Sequence, residues 1–172
     1  MKKVISITLL FFLIISCEKS VVKITDSEKT HQKELIQTFL NDWHLAASQA
    51  NYANYFDKMD ENSVFIGTDA SEIWSKKQFE NYSKPHFDKG KAWDFKAFER
   101  NIYLNDAGNF AWFDENLQTN RGTFRGSGVL EKINEKWALH HYVLSVPIPN
   151  DDMKEVMKIT HKNDSIFQLK FK

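Results

Sequence analysis

Three carboxylates, one arginine and one histidine stand where this sequence could move protons. Asp69 and Glu72 follow a β-rich run and precede a helix signal, which places both in a loop at a strand end. A carboxylate held there among aromatic residues would have its pKa raised and could serve as general acid or base. Glu72 reads first as charge at the start of the following helix, whereas Asp69 stands evenly between a capping role and a catalytic one. By strand parity Asp114 shares a face with Phe110 and Trp112, with Glu115 on the other side. A carboxylate among aromatics needs a partner, and Arg125 on the next strand could supply one, as a structural ion pair before a substrate clamp. His141 shares the parity of Trp137 and Leu139, so it is the inward histidine and His140 the outward one; a hydrogen-bonded core position is its first reading. Asp69, Asp114 and His141 are therefore the catalytic candidates. Ser127 lies in Gly126-Ser127-Gly128 within a strand, not in a strand-to-helix elbow, which disfavours a nucleophilic triad with Asp114 and His141. The histidines lack ligand-like spacing and no HExxH, CxxC, Walker or GxGxxG pattern occurs, so neither a metal nor a cofactor is expected.

The elements that must position these groups follow from spacing. Thr25-x-x-Glu28 fits a capping box, and Leu35, Ile36, Phe39, Leu40, Trp43 and Ala47 recur at helical spacing, predicting a helix over about Ser27–Gln49. Asn51 can cap a short second helix, Ser63–Thr68 reads as a strand, and Ser75-x-x-Gln78 opens a third helix that Pro85 should kink or end. From Lys91 the period becomes two, with Trp93, Phe95 and Ala97 in one phase and Phe98, Ile102 and Leu104 in the other. Such a slip inside one long strand, Lys91–Leu104, predicts a β-bulge. Phe110–Thr119, Thr123–Ile133 and Trp137–Val146 are three more strands, joined by tight turns at Asn105–Gly108 and Asn134–Glu135. A last helix can start at Asn150–Asp152, and the final Phe167-x-Leu169-x-Phe171 alternates. The order predicts an α+β fold: a cone-shaped, curved antiparallel sheet against three helices from the N-terminal half, open at a mouth. The space between them should be lined by Trp43, Phe65, Asp69, Trp74, Asp114, Arg125 and His141.

At 172 residues, with 23 basic against 23 acidic side chains and one cysteine, the chain suits one domain with a small appendage and no disulfide framework. Zero formal charge, with no Lys/Arg run beyond a pair, excludes an electrostatic nucleic-acid binder. Met1-Lys2-Lys3 followed by the apolar run Val4–Ile15 has the layout of a secretory signal. Twelve residues at 1.5 Å rise span about 18 Å, too little for a hydrocarbon core of roughly 30 Å. Ile14-Ile15-Ser16-Cys17 resembles the bacterial lipobox, with the one cysteine at the position that lipidation needs. Residues 1–16 are thus expected to be a signal peptide, 17–26 a tether, 27–149 the domain and 150–172 a C-terminal helix and tail. That predicts a lipid-anchored protein of the bacterial cell envelope. Glu18, where an aspartate favours inner-membrane retention in enterobacterial lipoproteins, points to the outer membrane, with the periplasmic or surface side undecided.

The stretches DWHLAASQANYANYF, SVFIGTDASEIWSKKQF and GSGVLEKINEKWALHHYVLS resemble the SnoaL-like branch of the nuclear transport factor 2-like superfamily over about residues 30–149. The resemblance implies the cone fold but not an activity, since the superfamily hosts isomerases, dehydratases, hydrolases and non-catalytic modules. The ketosteroid isomerase base and tyrosine would fall at about Gly67 and near Trp43-His44, so that pair is absent and Asp69 is the nearest substitute. Three readings stay open. The domain binds a small apolar ligand or acts as an accessory module; it is an acid–base isomerase, dehydratase or hydrolase; or it is a structural homodimer packed through its outer sheet face.

Overall fold

The computed structural model describes residues 23–172. The signal segment, Cys17 and the first part of the tether lie outside the described residues. Thr25 opens the first helix: its hydroxyl accepts from the Glu28 backbone N–H at 3.2 Å while the Glu28 carboxylate accepts from the Thr25 N–H at 2.7 Å. That helix, α1 (Asp26–Ser48), buries Ile36, Leu40, Trp43 and Ala47. Asn51 caps α2 (Tyr52–Phe56), which turns Tyr55 and Phe56 inward. β1 (Met59–Ile66) pairs with the three-residue β2 (Ile73–Ser75), a strand that lacks a sequence signal of its own. Ser75 and Gln78 then form the second capping box and start α3 (Lys76–Asp88).

Pro85 lies inside α3 instead of ending it. It sits within the last turn, where it removes only one intrahelical hydrogen bond. Phe87, buried beyond it against Tyr55 and Phe56, holds the final turn in place. The remaining strands are β3 (Lys96–Leu104), β4 (Phe110–Thr119), β5 (Gly122–Ile133) and β6 (Lys136–Ser145). The helix α4 (Met153–Leu169) follows and takes up Phe167 and Leu169, whose alternation suggested an extended end.

The six strands form a curved, unclosed sheet in the order β2-β1-β6-β5-β4-β3. β1 runs parallel to β6 and every other pair is antiparallel. The helices of the N-terminal half pack on one face, α1 over β3 and α3 over β1.

Two bulges decide which side chains face the helices. Phe98 is the extra residue between the pairs Ala97–Leu117 and Glu99–Asn116, at the predicted phase slip. The strand itself begins only at Lys96, so Trp93 and Phe95 belong to a segment preceding it. The second bulge was not foreseen. Leu130 pairs with Leu139 but Val129 with His141, which leaves His140 as the extra residue on β6. Beyond it the inward set becomes Tyr142 and Leu144, and His141 turns to the outer face.

On β4 the buried residues are Ala111, Phe113, Glu115 and Leu117, the opposite parity to the one expected. Trp112 is instead 44% exposed and stacks on Tyr103 across the outer face, ring centroids 5.7 Å apart.

Because α3 depends on its cap for its start, Ser75→Ala should lower stability by about 1 kcal/mol. The urea midpoint should fall with the slope unchanged.

Candidate functional site

Glu115 is the carboxylate that enters the sheet interior, with its side chain fully buried. His44 Nε2 on α1 donates to its Oε1 at 2.8 Å, and the Tyr142 hydroxyl on β6 donates to the same oxygen at 3.0 Å. Arg100 on β3 donates from Nε to Oε2 at 2.8 Å, with Nη2 at 2.7 Å. Its Nη1 reaches Asn41 Oδ1 at 2.8 Å and the Gln37 carbonyl, both on α1. Gly126 makes room for this cluster: a Cβ there would lie 2.1 Å from the Tyr142 hydroxyl and 3.0 Å from Glu115 Oε1.

Burial pushes the Glu115 carboxyl up, but His44 and Arg100 together more than offset it and hold it below its ordinary 4.5. Burial, reinforced by the Glu115 charge, pushes the Tyr142 phenol far up, so it stays a donor. The Glu115 carboxylate is fully occupied by these donors, His44 Nδ1 is buried without a hydrogen-bond partner among the described residues, and none of the four side chains lines the cleft at the mouth.

The rest of the interior is packed with aliphatic side chains and aromatic rings. Trp43 stacks on Tyr55 with centroids 4.9 Å apart, and Phe65 on Phe79 at 3.8 Å. A cleft of about 550 Å³ lies at the mouth, between α3, the segment before β3 and the β4–β5 turn. Its wall is a run of near-parallel rings: Trp74 lies over Tyr82 at 4.5 Å, and Phe79 lies between Trp74 and Trp93 at 5.6 and 5.8 Å. Glu72, His86, Lys91, Asp94 and Arg121 form a polar rim.

Of the residues expected to line one pocket, Phe65 and Trp74 line this cleft, and Trp43 is core beneath it. Asp114 and His141 are half-buried and Arg125 exposed, all on the outer face, where Asp114 accepts from Asn101 and Arg125 donates to Asn116. Asp114 and Arg125 share the outer face but do not pair, because the register sets Asp114 opposite Ser127 and Arg125 opposite Asn116. Asp69 is exposed, and hydrogen bonds from the Ser71 side chain and backbone lower its pKa, the reverse of the shift that proton transfer near neutral pH would need. Glu72 accepts from the Asp69 N–H at 3.2 Å and lies against Gly67, where a Cβ would collide with it. Its position is set by this loop, not by the start of α3.

Arg100 and His44 carried readable signals that were not used. Arg100 shares the parity of Ile102 and Leu104, and His44 follows Leu40 by four residues on the apolar stripe. Among the described residues no group of three His, Cys, Asp or Glu could hold a metal ion.

With this geometry in view, the chain belongs to the SnoaL-like domain family, whose model matches residues 36–149. Solved structures agree on the fold. A nuclear transport factor 2-like protein of unknown function from Pseudomonas putida superposes with a TM-score of 0.59 at 12% identity, over 70% of this chain and 90% of that one. A nuclear transport factor 2-like protein from Cytophaga hutchinsonii gives 0.57 at 14% identity, over 67% and 98%. A protein of unknown function with a cystatin-like fold from Nostoc punctiforme gives 0.57 at 16% identity, over 73% and 95%. No curated protein matches the chain.

Glu115→Gln should cost about 3 kcal/mol or more by stranding the Arg100 charge, read as a lower urea midpoint. The folded-state pKa of Glu115 is depressed, so its stabilisation is complete above pH 4.5 and is lost as pH falls below that value. The acid limb of the stability curve should therefore flatten in the variant.

Proposed function

We propose that this protein is a cell-envelope lipoprotein, acylated at Cys17, whose SnoaL-like domain binds a small apolar ligand in the aromatic cleft at its mouth. One observation carries the binding reading. The inward titratable groups, Glu115, His44, Arg100 and Tyr142, are spent on one another, while the open space is walled by Trp74, Phe79, Tyr82 and Trp93. Acid–base catalysis needs a group of shifted pKa that substrate can reach. Asp69 is exposed with its carboxyl held low by Ser71, and Asp114 and His141 lie on the outer face of the sheet, away from the cleft. Aromatic panels at near-parallel angles suit a flat, apolar guest, and the rim of Glu72, His86 and Asp94 would orient it.

The envelope location is supported by the apolar run ending at the single cysteine. No helix among the described residues is long and apolar enough to cross a membrane.

The neutral fluorophore 1-N-phenylnaphthylamine tests the cleft. It should bind saturably to the full chain, and Trp74→Ala should weaken it by about tenfold while the circular dichroism stays unchanged. Absence of saturable binding, or equal affinity in the variant, contradicts the reading. For the anchor, Cys17→Ala should move the protein from the membrane fraction to the soluble one, and mass spectrometry showing a free thiol at residue 17 in the mature protein would contradict it.

A further inference from the structure

The helix α4 stands outside everything described so far. It begins after the family match ends at residue 149, and none of its residues is buried. Only Val156, Thr160 and Phe167 are half-buried, one stripe at helical spacing. The rest of its apolar side chains face solvent, among them Met157 at 62% and Phe171, just past the helix, at 76% exposed. A helix of seventeen residues with only three half-buried side chains gains little hydrophobic stabilisation to offset its ordering entropy, which marks a face waiting for a partner.

The charge pattern says which partner. Residues 153–172 carry five lysines against two carboxylates, a side-chain charge of +3 in a chain whose formal charge is zero. The arrangement is ordered as well as basic. Met153 and Met157 form one row along the helix, which His161 continues, and Lys154 and Lys158 form the adjacent row; these five side chains line a single shallow groove. Lys158 makes an exposed pair with Glu155 at 2.6 Å, worth little in water, so the lysine is free to exchange that partner. An apolar row beside a cationic row matches the boundary of a bilayer, where acyl chains take the one and anionic headgroups the other. A protein groove would need a complementary apolar cleft of fixed shape; a lipid surface needs only this layering.

We propose that α4 is an interfacial helix that lies on a membrane surface containing anionic lipid, seated through Met153 and Met157 with Lys154 and Lys158 at the headgroups. The reading is independent of the aromatic cleft and of acylation at Cys17, since it rests on α4 alone.

The test uses the full chain carrying Cys17→Ser and Met157→Cys, labelled with an environment-sensitive nitrobenzoxadiazole dye at residue 157, so that the N-terminal apolar run cannot produce the signal. With vesicles of phosphatidylcholine plus phosphatidylglycerol the emission should rise by about twofold and shift to the blue. With phosphatidylcholine alone it should change little, and lipids brominated on their acyl chains should quench it. Adding Lys154→Glu and Lys158→Glu should abolish the response while leaving the helical circular dichroism intact. An unresponsive dye in anionic vesicles overturns the proposal. So does an equal response in the charge-reversed variant, or a blue shift that grows with protein concentration in the absence of lipid, which would assign the face to a second copy of the chain.

Discussion

An ionised carboxylate in a sheet interior persists only while positive charge and hydrogen bonds surround it, and Glu115 draws these from three elements at once. Arg100 comes from β3, Tyr142 from β6 and His44 from α1. Arg100 then extends the link back to α1 through Asn41 and the Gln37 carbonyl. These contacts fix the angle at which α1 crosses the sheet more tightly than apolar packing alone, which tolerates sliding. The glycine at 126 is required by the same cluster, since any side chain there would occupy the space of the Tyr142 hydroxyl. A constellation that resembles acid–base machinery in composition thus holds the fold, and its groups are held where no ligand reaches them.

The placement of the cleft follows. With α1 pinned across β3 and β4, Trp43 is driven into the centre, where it meets Tyr55 and Tyr142. Phe65 and Phe79 close the space beside them. Rings of this size leave no room deep in the fold, and the unfilled volume is displaced to the mouth, where α3 and the segment before β3 offer ring faces instead of ring edges. Chemistry at such a site depends on what the rim presents, and the rim is mixed in charge, with Lys91, Arg121, Glu72 and Asp94 all in the lining.

Much of the fold was readable because it is encoded locally. Capping boxes at Thr25 and Ser75, the cap at Asn51, the turn at Asn134–Glu135, where both residues take positive φ, and the bulge at Phe98 each need only a few neighbouring residues. The candidate site was much less legible. On β6 strand parity holds only up to the bulge, and nothing in the sequence around His140 announces one. On β4, which runs without a bulge, the face expected inside is that of Phe110 and Trp112, and it carries Asp114 with it. The alternation of Ala111, Phe113 and Leu117 pointed the other way and would have delivered Glu115. Partners such as His44 lie 71 residues away in sequence, so their pairing is a property of the folded chain and has no local signature.

The central claim is that the interior is closed and that ligands meet the protein at the mouth. The chain contains five tryptophans, each with its own indole N–H signal in a nitrogen–proton correlation spectrum. Trp74 and Trp93 line the cleft, Trp43 lies in the core, Trp112 is on the outer face, and the Trp137 indole donates to Gln32 at 3.1 Å. Titration with 1-N-phenylnaphthylamine should move the Trp74 and Trp93 signals together and leave those of Trp43, Trp112 and Trp137 in place. Displacement of the Trp43 signal with Trp74 and Trp93 unmoved would put the ligand inside the fold and contradict the account.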